Sequence, residues 1–195
     1  MQATKAEVRT AILSARRGVA TDVRRAESDA LRAYVAKLAQ PGTTMCAYVP
    51  VGSEPGSPAM LDALLVAGAK VLLPVARDDE HGRPMPLSWG EFRGELVAAP
   101  FGLREPPPPW LPAAAIGAAT AVIVPALAVD RAGVRLGRGA GFYDRSLTLA
   151  DPAAWLIAVV RDDEIVDHLP GESHDVPMTH ALTPGQGLIA LGAAR

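Results

Sequence analysis

The chain has one cysteine, Cys46. No internal disulfide can form, and a lone thiol fits a reducing cytoplasm, which is the expected location. Long apolar runs are missing too. No stretch reaches the length needed to cross a bilayer, so no membrane partner is expected. A signal peptide is not expected either, because residues 1–30 are charged throughout. Charge of one sign is lacking: net charge is −2, with acids and bases interspersed. A nucleic-acid binder would show a basic excess or stripe, so no nucleic-acid partner is expected. The four histidines, His81, His168, His174 and His180, do not have the spacing of zinc ligands. No Cys–His or Ser–His–Asp set is visible in the sequence, and nothing in it looks like nucleophilic catalysis.

What is present is enough for one compact domain. The 195 residues allow a sizeable core and are too few for two ordinary domains, so one domain over residues 1–195 is expected. Thr4 to Glu7 fits a capping box, and Val8, Ala11, Ile12 and Ala15 then make an apolar face, which predicts a helix over 5–17. A second helix is expected over 21–39, ended by Pro41-Gly42. Met45 to Val51 reads as a first strand and Lys70 to Val75 as a second, with a helix over 58–67 between them. That order is a βαβ unit, so the sheet should be largely parallel. Ligands of such sheets sit off the carboxyl ends of the strands, which places the loop Gly52 to Ser57 at that edge. Pro86 to Trp89 is expected to be a short strand and 100–112 an irregular, proline-rich connection. Further strands are expected over 121–125, 155–160 and 188–191, with a polar loop over 161–177.

The chain is organised around Gly133-Val-Arg-Leu-Gly-Arg-Gly-Ala-Gly-Phe-Tyr-Asp144. It lies between the strand at 121–125 and a segment, 143–149, that can begin a helix. Gly137, Gly139 and Gly141 leave little bulk and allow positive φ, so backbone N–H groups can turn inward as an anion nest. A helix N-terminus behind the nest would add partial positive charge. Arg135 and Arg138 supply mobile cation, and Asp144 stands where a metal riding on a phosphate could be held. It is neither the P-loop pattern, since no Gly-Lys-Ser/Thr follows, nor the dinucleotide fingerprint, since the third glycine is one place early. Lys5 and Arg9 are four apart and share a helix face. Two cations there repel by roughly 0.2–0.5 kcal/mol. The spacing alone leaves two readings: a solvated basic face, or a pair aimed at an anion. A phosphate loop, arginines and scattered carboxylates together suit phosphoryl transfer, where positioning and charge neutralisation do most of the catalysis.

The run Val124-Pro-Ala-Leu-Ala-Val-Asp130, with the glycine stretch behind it, resembles the 5-formyltetrahydrofolate cyclo-ligases, also called 5,10-methenyltetrahydrofolate synthetases. Lys5-x-x-x-Arg9, the loop Tyr48 to Ser57 with its glutamate, Phe101 to Pro106, His174-Asp-Val-Pro177 and Thr183-Pro184 agree in order and spacing. The resemblance implies an α/β fold, a single-domain, Rossmann-like three-layer α/β/α with a largely parallel central sheet. It implies conversion of 5-formyltetrahydrofolate to 5,10-methenyltetrahydrofolate with ATP as co-substrate and Mg(2+) as cofactor, releasing ADP and phosphate. By similarity, Lys5, Arg9, Arg135, Leu136, Gly137, Arg138, Gly139, Ala140, Gly141, Phe142 and Tyr143 bind ATP, with Arg138 and Lys5 also catalytic. Asp144 and Asp175 look like the magnesium carboxylates, and Val49 and Glu54 the folate side. Glu54 either accepts from pterin N–H groups or orients the reacting region.

The chain departs from the family pattern at Ala140, where glycine or lysine is common, at Phe142, often tyrosine, and in the Pro55-Gly56 pair. Two other readings remain open in the sequence. One is an ATP-dependent enzyme of the same fold acting on another small acid or amide. The other is a nucleotide- or folate-binding module without turnover. The expected partners are small-molecule substrates only, with the chain a monomer.

Overall fold

The computed structural model describes residues 4–172 and 175–192. Helix α1, Lys5–Arg17, starts at the expected capping box, with Glu7 N–H on the Thr4 hydroxyl at 3.3 Å and Thr4 N–H on the Glu7 carboxylate at 2.8 Å. Its buried stripe is not the expected one. Ala11 and Ala15 are exposed, while Val8, Ile12 and Leu13 pack against Leu127, Ala128, Leu136 and Leu169. Positions 5, 9 and 16 fall on this same stripe at three- and four-residue spacing, so three cations of α1 face the rest of the protein.

Helix α2 spans Thr21–Leu38 and buries Leu31 and Val35. Strand β1 is only Thr44–Cys46, shorter than expected, because the chain leaves the sheet after Ala47 donates to the Leu72 carbonyl at 2.9 Å. Helix α3, Ala59–Val66, with Pro58 as its N-cap, leads to β2, Lys70–Val75, which pairs parallel with β1. The βαβ unit is present. Strand β3 is Ser88–Phe92, two residues later than expected, and β4 is Trp110–Leu111 inside the proline-rich connection. β5 is Ala119–Pro125, β6 is Trp155–Val159, β7 is His180–Thr183 and β8 is Gly187–Ala190. Strand β7 was not expected from the sequence. It is four residues long, and its parallel pairing with β6 is what defines it.

These strands form one sheet in the order β8-β7-β6-β5-β1-β2-β3-β4. The five central strands run parallel, and β8, β3 and β4 are antiparallel additions at the edges. Buried strand residues alternate between two cores. Met45, Val71, Leu73, Ile123 and Ile157 join the core that α2 and α3 cover. Cys46, Leu72, Val122, Val124 and Leu156 join the other, which is covered by the 3₁₀ turn Ala113–Ala118 and the short helix α4, Phe142–Ser146. The three layers of an α/β/α fold result, one of them built from short pieces. A small sheet of Ala128–Asp130, Arg135–Leu136 and Ile165–Val166 braces the loop after β5. From β1 the chain crosses to β2 on one side, while β5 lies on the other and is followed outward by β6. The strand order therefore reverses between β1 and β5, and a crevice opens beyond their carboxyl ends.

Candidate active site

A cavity of about 640 Å³ occupies that crevice. The chain beyond β1 contributes Tyr48, Val49, Val51 and Glu54. The chain beyond β5 contributes Pro125, Ala126 and Leu127, and then Arg135 and all of 137–144. Phe101 to Arg104 close a third side. The two loops that the sequence places at this edge therefore face one space.

The glycine loop is held at its base by Asp130. This buried carboxylate accepts from Ala132 and Val134 N–H through one oxygen and from Leu169 N–H through the other. Residues 130–133 form a tight turn, with Gly133 N–H on the Asp130 carbonyl at 3.0 Å. Gly139 (φ +97°) and Gly141 (φ +79°) adopt the left-handed backbone that favours glycine. Gly137 does not, so its role is space: a Cβ there would lie 2.8 Å from the Arg135 guanidinium. The α-helix behind the loop runs for only five residues before a 3₁₀ turn, so it adds less dipole than a helix over 143–149 would.

Each cation of this side rests on an oxygen of the protein. Arg135 donates to Asp144 at 2.8 Å and to the Pro125 carbonyl at 3.2 Å, with its guanidinium 5.5 Å from the Tyr143 ring centre. Arg9 Nε donates to the Gly137 carbonyl at 2.9 Å. Lys5 Nζ lies 3.4 Å from both Asp175 and Glu172. The solvated-face reading of Lys5 and Arg9 is thus overturned. Both turn inward, Arg9 onto the glycine loop itself. Burial pushes the Tyr143 hydroxyl well above its usual range, so it stays protonated and can donate.

The other side is drier. Glu54 keeps only 7% of its side chain exposed. One of its oxygens accepts from Val51 N–H at 3.0 Å and the other from Arg138 Nε at 3.0 Å. Burial raises its pKa, against the opposing pull of those bonds and of Arg16. Tyr48, fully buried, donates its hydroxyl to the Pro55 carbonyl, which fixes the Pro55-Gly56 loop. Arg138 joins the two sequence-predicted halves of the site directly, through the Glu54 carboxylate at 3.0 Å and the Val51 carbonyl at 3.5 Å.

Not every residue singled out in the sequence lines the cavity. Leu136 turns its side chain into the small cluster with Leu127 and Leu169, so only its backbone is available. Lys5, Arg9 and Asp175 stand outside the cavity lining, on the flank of the glycine loop. Asp144 lines the cavity, and His174 lies outside the described residues. Among the described residues no cluster of three or more histidines, cysteines and carboxylates could hold a metal alone.

Residues 1–184 match the 5-formyltetrahydrofolate cyclo-ligase family. A 5-formyltetrahydrofolate cyclo-ligase of Mycolicibacterium smegmatis is 62% identical over 189 residues, covering 96% of this chain and 97% of that protein. The chain belongs to this family. The cyclo-ligase of Escherichia coli K12 is 28% identical over 144 residues, 73% of this chain and 79% of its own length. Among solved structures, the 5,10-methenyltetrahydrofolate synthetase of Aquifex aeolicus superposes with a TM-score of 0.76 at 22% identity, over 98% of this chain and 94% of that one. The synthetase of Mycoplasma pneumoniae gives 0.68 at 16% identity, over 89% and 94%. At those identities both speak for the fold. The chain is therefore an enzyme of folate one-carbon metabolism, a ligase that uses ATP to convert 5-formyltetrahydrofolate to 5,10-methenyltetrahydrofolate.

Two residues at the site had no role assigned from the sequence. Phe101, 60% exposed, lines the cavity with its ring centre 6.0 Å from that of Phe142. Arg16 lines it too and is buried. A signal for Arg16 existed: it sits four residues after Ile12 and eight after Val8, an arginine on an apolar stripe.

Proposed function

We propose that the cavity between β1 and β5 performs this conversion by phosphorylating the formyl oxygen, with ATP on the glycine loop and the folate against Glu54. The observation that carries the reading is the single cavity shared by the two loops, bridged at 3.0 Å by Arg138 and Glu54. A formamide oxygen is a poor leaving group. Its attack in line on the γ-phosphorus releases ADP and turns it into a phosphorylated leaving group. The N10 amine then attacks the formyl carbon and gives up its proton, the ring closes, and phosphate departs. Positioning and charge neutralisation are what the protein must add.

The residues divide that work. N–H groups at Gly139 and Gly141 face phosphate oxygens at no steric cost. Arg138 leaves Glu54 for the γ-phosphate, which gives it a catalytic role, and Lys5 and Arg9 neutralise the triphosphate from the flank. Asp144 and Asp175 would hold Mg(2+), which supplies positive charge to the transferring phosphoryl group. Magnesium takes one or two carboxylates and completes its shell with phosphate oxygens and water, so this donor set fits without a third protein ligand. Val49 and Glu54 contact the folate. The whole chain acts as one domain and as a monomer in the cytoplasm. No helix among the described residues is long and apolar enough to cross a membrane.

The test is purified protein with 5-formyltetrahydrofolate, ATP and magnesium, followed by the absorbance of the methenyl product. Product should form only with all three present. Full-rate turnover in EDTA would remove the metal role, and binding without ADP release would leave a binding module.

A further inference from the structure

Arg16 is 1% exposed, and its guanidinium is used unevenly. Nε and Nη2 donate to the two oxygens of Glu164, each at 2.7 Å, and Nη2 also reaches the Ala126 carbonyl at 2.7 Å. Glu164 accepts further from Arg161 N–H at 2.7 Å, so the pair is locked in place. Nη1 is buried and has no hydrogen-bond partner among the described residues. Buried polar groups in folded proteins are nearly always paired, and an unpaired charged donor is especially costly. Arg16 lines the cavity together with Tyr48, Glu54, Ala126 and Leu127. Its charge is also felt by Glu54, whose carboxylate it helps to keep ionised against burial.

We propose that Arg16 is a substrate-binding residue, its Nη1 donating to the lactam oxygen of the folate ring while Glu54 accepts from the ring N–H beside it. A fixed donor and a fixed acceptor lining one cavity complement an edge that carries an N–H and a carbonyl side by side. The pterin ring has such an edge. The formyl group does not, since its carbonyl has no N–H neighbour. This assignment rests on the folate side of the site being at Glu54. The competing partner is water. Arg16 and Glu54 also border a second recess of about 90 Å³, with Arg24, Glu27 and Arg161.

Parent turnover of 5-formyltetrahydrofolate with ATP is measured first, and its failure would sink the functional reading itself. The variant is Arg16→Met with Glu164→Met, because removing one partner would leave a buried charge unpaired, whereas an apolar pair of similar volume is tolerated. Thermal melting checks its fold. If it does not fold, Arg16→Lys keeps the charge on Glu164 and loses the fork. Both are compared on 5-formyltetrahydrofolate and on its analogue with an amino group in place of the lactam oxygen. Loss of one charge-assisted hydrogen bond should raise the folate KM about tenfold or more and leave the ATP KM within about twofold. The parent should discriminate against the analogue, which also lacks the ring N–H that faces Glu54, and the variant should lose the part of that discrimination that Arg16 supplies. A variant with the parent's folate KM, or with its discrimination intact, would place Nη1 on water in the recess. A parent that takes both substrates equally would also overturn the contact.

Discussion

The two sides of the cavity are built on opposite plans. On the glycine loop, Arg138, Gly139 and Ala140 are exposed, two glycines hold left-handed backbone, and Arg135, Arg9 and Lys5 each lean on a protein oxygen. On the Glu54 side, Tyr48 and Pro55 are buried and the carboxylate is almost dry. The cations of the first side rest on protein oxygens, and the proposed triphosphate would have to exchange with those partners. The second presents groups that are already oriented, with the Arg138 bond to Glu54 as the protein contact a ligand there would replace. A phosphate site tolerates such exchange because the incoming charge is large. A ring edge offers only neutral hydrogen bonds, so it binds well only to groups held in place beforehand.

The strongest way to break this contrast is Gly139→Val. A β-branched residue cannot hold φ +97° without strain, and its Cβ would point at Arg9 from 3.6 Å. Turnover should fall to background, and ATP with magnesium should no longer raise the melting temperature, since that rise requires binding to the native state. A valine variant still stabilised by ATP like the parent would remove the phosphate role from the exchangeable side.

The bridge between the sides comes next. Arg138→Ala should cost roughly 10²–10³-fold in kcat, the usual loss when one donor to transition-state charge is deleted. Glu54→Gln should cost about 10–100-fold in kcat/KM for the folate and spare ATP binding, the size of one hydrogen bond to a charged group. Fully additive losses in the double variant would mean that the 3.0 Å pair couples nothing.

Smaller effects separate the flank from the loop. Lys5→Ala and Arg9→Ala should each raise the ATP KM about two- to tenfold and leave the folate KM unchanged. Parent-like ATP KM in both would return these cations to a purely structural role.

The smallest effect sharpens the dry side. Burial raises the Glu54 pKa above its ordinary 4.5, so the folded state binds the proton more tightly than the unfolded one. Its contribution to stability is then full below 4.5 and is lost as pH rises through the folded value. Glu54→Gln should lose less melting temperature than the parent from acidic to neutral pH. Parallel melting curves across that range would show that Glu54 is not held in a costly place.

Much of this was legible in local chemistry. The capping box at Thr4 and Glu7 and the terminal residues of Lys70–Val75 stand as expected, because capping and a short apolar run between turn residues are local events. The bend of the glycine stretch was visible because glycine spacing states what the backbone must do, and Gly139 and Gly141 do take positive φ. Strand β7 and the small sheet were not visible. Two to four residues carry no readable period, and they become strands only when a partner supplies the ladder. The inner stripe of α1 was misjudged for a related reason. Alanines are compatible with burial or exposure, and the packing against Leu127 and Leu169 chose Val8, Ile12 and Leu13 instead.

The sequence by itself determined the parallel βαβ core, the bend of the glycine loop and the charge types around it, since hydrophobic period, φ freedom and formal charge are properties of single residues and their near neighbours. Only the tertiary structure decided that the Glu54 and glycine loops share one cavity, that Arg138 bridges to Glu54, and that Arg16, one helix away from the sheet, ends buried on Glu164 with one nitrogen unpaired. Those facts depend on which strands lie side by side and on what water is shut out when they do.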